Sequence, residues 1–220
     1  APRPSLLIMA EHLDATERQQ LCDLLDKLGP DAPTVPEGWT TFDLLTHLVM
    51  RERDPIGAPG IVVPGPWAKL AEHRRVGMKD QGFPALVEKL RTGPPPGLFR
   101  LPWIRKVPNL NEFFVHHEDV RRANGMGPRT NPPALDDALW HNVRSGAWVL
   151  TRRVRGPGLE LARAGTSTTR RAKGGQPVVQ LTGTPGELLL YLFGRREIAE
   201  VELSGPPEAV EAVRRAKFGI

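Results

Sequence analysis

Glu112, His116 and Asp119 carry the types and spacing from which a metal site can be built. On a helix that turns about 100° per residue they share one narrow stripe with Ala123. A carboxylate and an imidazole at positions i and i+4 stand close enough to bind one ion, as paired ligands on bundle helices do. His47, at the edge of the apolar stripe formed with Leu44 and Leu48, is the natural third ligand. Two histidines and one carboxylate leave coordination positions open, the pattern of a catalytic rather than a structural zinc site. Nickel or iron(II) accepts the same donors. The bland alternatives are a surface ion pair between Glu112 and His116, because this spacing arises by chance in many helices, and a core histidine at His47. Asp119, one turn past His116, could orient its imidazole from behind or replace Glu112 as the carboxylate ligand. His117 points about 100° away from His116, which suits a packed or partly exposed residue better than a ligand.

These residues need helices to hold them. Leu6, Ala10, Leu13, Leu21, Leu24, Leu25 and Leu28 recur at threes and fours, predicting a long amphipathic helix that Gly29-Pro30 ends. Thr40 with Asp43 three residues later suits an N-cap, so the helix that carries His47 should run from Thr41 to about Arg53 and stop at Pro55. Helical sequence resumes at Trp67, breaks near Gly82-Phe83-Pro84 and continues to Arg91. Loops are expected over 56–66 and 92–108, the second with Trp103, and loops of that length inside a compact domain usually cover or serve a site. Asn109 or Asn111 can cap the helix from about Glu112 to Asn124, and Gly125 and Pro128 end it. Another helix follows from Ala134 to about Val154, with its stripe at Leu135, Leu139, Val143, Ala147, Leu150 and Val154.

After Gly156-Pro157-Gly158 the pattern changes. Short strands are expected at Leu159 to Arg163, Thr168 to Lys173, Val178 to Leu181 and Ile198 to Leu203. Two helices alternate with them, one opened by the capping box Thr184 to Glu187 and one from Glu208 to Lys217. The fold class read from this order is mainly α, with helices sufficient for a bundle over 1–156 and a small α/β C-terminal domain over 157–220. Arg195 and Arg196 follow Leu192-Phe193-Gly194 at a helix end. Capping explains them, and a bidentate grip on a substrate carboxylate is the functional alternative.

Composition narrows the classes of function. Apolar residues at 40% and charged residues at 25% describe a chain that folds. One cysteine, Cys22, excludes an internal disulfide framework and points to a reducing cytoplasm. No export signal is read at the start, and no apolar run reaches the ~18 residues that a membrane span needs. The net charge of +5 comes from scattered arginine pairs without a recognised nucleic-acid motif, so nucleic acid ranks last among partners. His12, His73 and His141 lack a partner at ligand spacing, Gly174-Gly175 lacks the rest of a phosphate loop, and Cys22 reads as a core-edge residue.

The stretch Trp39-Thr40-Thr41-Phe42-Asp43-Leu44-Leu45-Thr46-His47-Leu48 resembles one signature of the mycothiol-dependent maleylpyruvate isomerase-like group of the DinB/YfiT superfamily. Glu112-Phe113-Phe114-Val115-His116-His117-Glu118-Asp119-Val120-Arg121-Arg122 resembles the other. Glu17-Arg18, Gly29 to Thr34, Arg51-Glu52-Arg53 and Gly194-Arg195-Arg196 are similar to an actinobacterial, metal-binding branch of that group. The resemblance implies a DinB-like four-helix bundle followed by a small α/β domain, and His47, Glu112 and His116 as ligands of a divalent ion, Zn²⁺ foremost. It also favours Glu112 over Asp119 as the carboxylate ligand. The function it implies is a metal-dependent thiol transferase or isomerase with mycothiol as co-substrate and a small-molecule substrate. The rival is a non-catalytic metal or small-molecule binding protein of the same fold. A homo-oligomer is compatible with either.

Overall fold

In the computed structural model, residues 6–54, 56, 65–96 and 105–219 are described, with backbone alone for 6–12 and 105–106. The protein is mainly helical with one small four-stranded sheet, and it divides into two compact units, 1–129 and 130–220. The expected boundary lay near Gly156 to Gly158. The units part instead before the helix Pro133–Leu150, whose apolar stripe packs within the second unit.

In the first unit, α1 (Leu6–Leu28) ends where Gly29 takes φ +78° and returns its N–H to the Leu25 carbonyl, the left-handed stop that glycine accepts without strain. Helix α2 (Thr41–Arg53) starts on a complete capping box: the Thr40 hydroxyl accepts from Asp43 N–H, and the Asp43 carboxylate accepts from Thr40 N–H. Helix α3 (Pro66–Met78) leads through a 3₁₀ turn (Lys79–Gln81) to α4 (Phe83–Arg91). Helix α5 (Leu110–Ala123) follows a π-helical segment (Arg105–Asn109). The core joins Leu21 and Leu25 of α1, Leu44, Leu45 and Leu48 of α2, Leu86 and Leu90 of α4, and Phe113 and Val120 of α5. Their removal from water is the main stabilising term for this unit. The buried pair Arg18–Glu52, two bonds of 2.6 Å, joins α1 to α2.

The second unit begins with α6 (Pro133–Leu150), which packs on α7 (Pro185–Leu192) and on β2 (Thr169–Lys173). The sheet also contains β1 (Gly158–Arg163), β3 (Val178–Gly183) and β4 (Glu202–Ser204), in the order β2-β1-β3-β4. The β1/β3 pair is parallel, with Leu159 opposite Val179 and Leu161 opposite Leu181, and the two outer pairs are antiparallel. Helix α8 (Pro207–Arg215) follows.

Several expectations need adjustment. The last strand is shorter than Ile198 to Leu203, and α6 ends at Leu150, although Val154 is buried as its stripe required. The Thr184 hydroxyl caps α7 by accepting from Glu187 N–H, whereas the Glu187 carboxylate accepts from Glu200 N–H, so the second half of that box is spent on a neighbouring segment. Asn109 does not cap α5, because its backbone is already helical after the π turn. Of the expected loops over 56–66 and 92–108, residues 57–64 and 97–104, with Trp103, lie outside the described residues, and the end of the second is the π-helical segment rather than loop.

Candidate metal centre

Two segments of the first unit bring the predicted residues together. The loop between α1 and α2 is tied to α5 where Val35 N–H donates to the Asp119 carbonyl at 3.1 Å and the Asn124 amide donates to the Pro33 carbonyl at 3.0 Å. The loop closes on itself through the Thr34 and Trp39 backbones, so the capped start of α2 is held against α5. His47 lies about two turns into α2. Its ring meets Trp39 edge-on at 5.5 Å between centroids, and His116 at 5.2 Å. Arg75 stacks over Trp39 and pairs with Asp43 at 2.5 Å, which braces that end of α2.

His47, Glu112 and His116 each present one ligand atom, and these atoms lie within 4.8 Å of one another. His116 Nε2 is 3.4 Å from Glu112 Oε2. On the other side of the ring, Nδ1 is 2.9 Å from Asp119 Oδ2, and Asp119 is fully buried. A carboxylate accepts, so Nδ1 carries the proton and Nε2 faces the cluster. That is the tautomer a metal-ligating imidazole needs. The Glu112 side chain keeps 22% of its surface, so the cluster is not sealed.

The charge states suit the same use. Burial alone would raise the pKa of Glu112, but the His116 hydrogen bond and the charges of His116 and Arg51 outweigh it and bring it down to about 2. Burial lowers that of His47 to about 3, with help from the charge of His116, so this imidazole is neutral. Burial opposes a charge on His116 too, yet the Asp119 and Glu112 carboxylates prevail and raise it to about 9. One ionised carboxylate, one neutral imidazole and one imidazole whose proton a cation can displace fit a divalent ion.

The other predicted residues are placed as follows. Asp119 stands behind His116, not beside Glu112 as a rival ligand. His117 turns away and is buried against Glu17, with Nδ1 3.1 Å from Oε2. Cys22 is buried, and burial pushes its thiol up to about 12, which makes it inert. His73 and His141 are exposed, while the His12 side chain lies outside the described residues. Arg195 and Arg196, in the second unit, donate to the carbonyls of Phe193 and Arg214. Two residues near the cluster escaped sequence reasoning. Arg51 places Nε 3.9 Å from Glu112 Oε2 and donates from Nη1 to Asn109 Oδ1 at 2.9 Å. The signal for Arg51 was its position one turn past His47; for Asn109 there was none beyond the cap it does not form.

No family model matches the sequence, and no curated protein matches it. Similar solved structures include the crystal structure of the mycothiol-dependent maleylpyruvate isomerase, with a TM-score of 0.59 and 16% identity over 92% of this chain and 95% of that one. A histidine-to-alanine mutant of that isomerase matches with a TM-score of 0.55 at the same identity and coverage. At this identity the likeness is one of fold, and it spans nearly the whole of both chains.

Proposed function

We propose that the protein is a divalent-metal-dependent enzyme that works with a low-molecular-weight thiol, of the transferase or isomerase type. His47, Glu112 and His116 are its ligands and Asp119 orients His116. The observation that carries this reading is the meeting of two imidazoles and one carboxylate within 4.8 Å, with the far nitrogen of His116 already engaged by Asp119. The fold shared with a mycothiol-dependent isomerase supports a thiol as partner and mycothiol as the first thiol to test. The same likeness supports a DinB-like four-helix arrangement and a place in the metal-binding branch that the sequence resembles. Zn²⁺ is the first ion to test, since two imidazoles and a carboxylate with an open position are a common catalytic zinc set.

A divalent ion held here would supply the positive charge that lets a bound thiol shed its proton near neutral pH. The residues do the rest. His47 offers a lone pair without first losing a proton, Glu112 brings a negative charge, and Asp119 keeps His116 in the tautomer that presents Nε2. Arg195 and Arg196 are proposed as substrate-binding cations of the second unit, tested by Arg195→Ala and Arg196→Ala, which should raise KM for an anionic substrate.

The test is a panel of thiols and electrophiles, cis-alkenes among them, offered to zinc-loaded protein. Thiol-dependent turnover that disappears in His47→Ala and His116→Ala is the expected result. Stoichiometric metal without turnover on any member of the panel would reduce the protein to a metal-binding module.

A further inference from the structure

We infer that Arg51 and Asn109 form an oxyanion subsite beside the His47, Glu112 and His116 cluster, and that it holds a carboxylate of the molecule processed there. The inference rests on the metal-and-thiol reading and adds the chemical class of the ligand.

Asn109 is fully buried, and among the described residues its Nδ2 has no hydrogen-bond partner. Buried donors are costly to leave unmade, so such an atom asks for an explanation. The orientation of the amide follows from its neighbour: a guanidinium donates and never accepts, so Oδ1 must face Arg51 and Nδ2 is left as a free donor. Nor is the side chain used as a helix cap, although it stands immediately before α5, where asparagine usually does that work.

Arg51 is in the same condition. Its side chain is mostly buried, yet among the described residues its bonds amount to one neutral amide oxygen at 2.9 Å and a carboxylate 3.9 Å away, too far for a hydrogen bond. A guanidinium has five N–H donors in a planar fork, so donors remain beside the unmade donor of Asn109. Once Glu112 gives its charge to a cation, the Arg51 charge is left with no carboxylate of its own. Guanidinium N–H groups of a mostly buried cation and a buried amide donor that no described residue receives call for an acceptor-only group. A carboxylate matches the fork through two oxygens with one negative charge, whereas a phosphate dianion would set twice that charge against Glu112.

The carboxylate can belong to the thiol or to its co-substrate, and the experiment separates the two. Cobalt(II)-loaded full-length protein is titrated with 2-mercaptoethanol, mercaptoacetate and 3-mercaptopropionate, with the thiolate-to-cobalt absorption as readout. Acetate is then titrated calorimetrically into protein saturated with 2-mercaptoethanol. A mercapto acid that binds about tenfold or more tightly than 2-mercaptoethanol puts the carboxylate on the thiol, and measurable acetate binding puts it on the co-substrate. Either effect should vanish in Arg51→Gln and Asn109→Asp, with cobalt stoichiometry and 2-mercaptoethanol affinity unchanged, and return in part in Arg51→Lys. No carboxylate effect, or one that survives both variants because the probe chelates cobalt by itself, overturns the subsite alone. Variants that weaken cobalt and 2-mercaptoethanol equally overturn it in favour of a structural role. Failure of the wild-type protein to take up cobalt overturns the metal reading, and the subsite with it.

Discussion

His116 and His117 are neighbours on one helix, both buried and both facing carboxylates, yet their surroundings are opposites. Around His117 every charge is answered by protein. Glu17 receives His117 and, at 2.6 Å, Arg129, while Glu118 receives Arg121 at 3.0 Å and Arg122 at 2.7 Å and has the Arg129 guanidinium beside it, with Nε 2.9 Å away but not aligned for a hydrogen bond. Three arginines close that network, and Arg129 also stacks on Phe114. Around His116 two carboxylates and a second imidazole gather with the Arg51 guanidinium 3.9 Å from Glu112 at its edge, and Glu112 keeps a path to solvent. A network in which each charge already has its opposite beside it stabilises a fold and asks for no further ion. The cluster at His116 keeps donor atoms turned toward one point, which is what a ligand site requires.

The sharpest break of this contrast is in the closed network. Arg129→Ala leaves Glu17 buried with His117 alone, and the loss of one partner of a buried pair should cost about 3 kcal/mol of stability, seen in denaturant melts. Metal content should be unchanged, and its loss would show that the two networks are not separate. Asp119→Asn should do the reverse. Metal affinity should fall between about tenfold and a hundredfold while stability changes less, and competition titration against a chelator measures it.

Acidity gives a third test. Without metal, His116 holds its proton up to about pH 9 and His47 is neutral, so each ion bound near neutral pH must expel about one proton, from His116. Affinity should therefore rise about tenfold per pH unit below that value, and calorimetry in buffers of different ionisation enthalpy counts the proton. The same raised pKa has a sign for folding. It stabilises the metal-free protein below about 6.5 and is lost as pH rises through about 9, so the metal-free melting temperature should drop across that window in wild type and not in His116→Gln. The smallest effect is at the brace of α2: Thr40→Ala should cost about 1 kcal/mol through the lost cap and leave the metal ligands in place.

How much of this could be read from the chain depended on the range of the interaction. The α2 cap, the Gly29 stop and the stripe that unites Glu112, His116 and Asp119 are local, set by residues within a turn or two, and the sequence showed them. The meeting of His47 with His116 is not local: residue type makes His47 a candidate third ligand, and the resemblance of two distant motifs is what favours it over a core histidine. Helix α6 displays a clear apolar stripe, but a stripe does not say which partner it will meet, so its place in the second unit was missed. Nothing in the sequence marks Glu17, Glu118 and Arg129 as one network, because charge in a sequence carries no mark of burial or partner. Asn109 and Asn111 are both candidates for the cap because their type suits one, and the π turn that frees the Asn109 side chain has no recognisable signature.

The most direct test of the central claim is elemental analysis of the purified, untagged protein beside His47→Ala, His116→Ala and His117→Ala. The account predicts near-stoichiometric divalent metal in the wild type and in His117→Ala, and its loss in the other two. Metal retained in His47→Ala and His116→Ala, or none in the wild type after reconstitution with zinc and nickel, would contradict it.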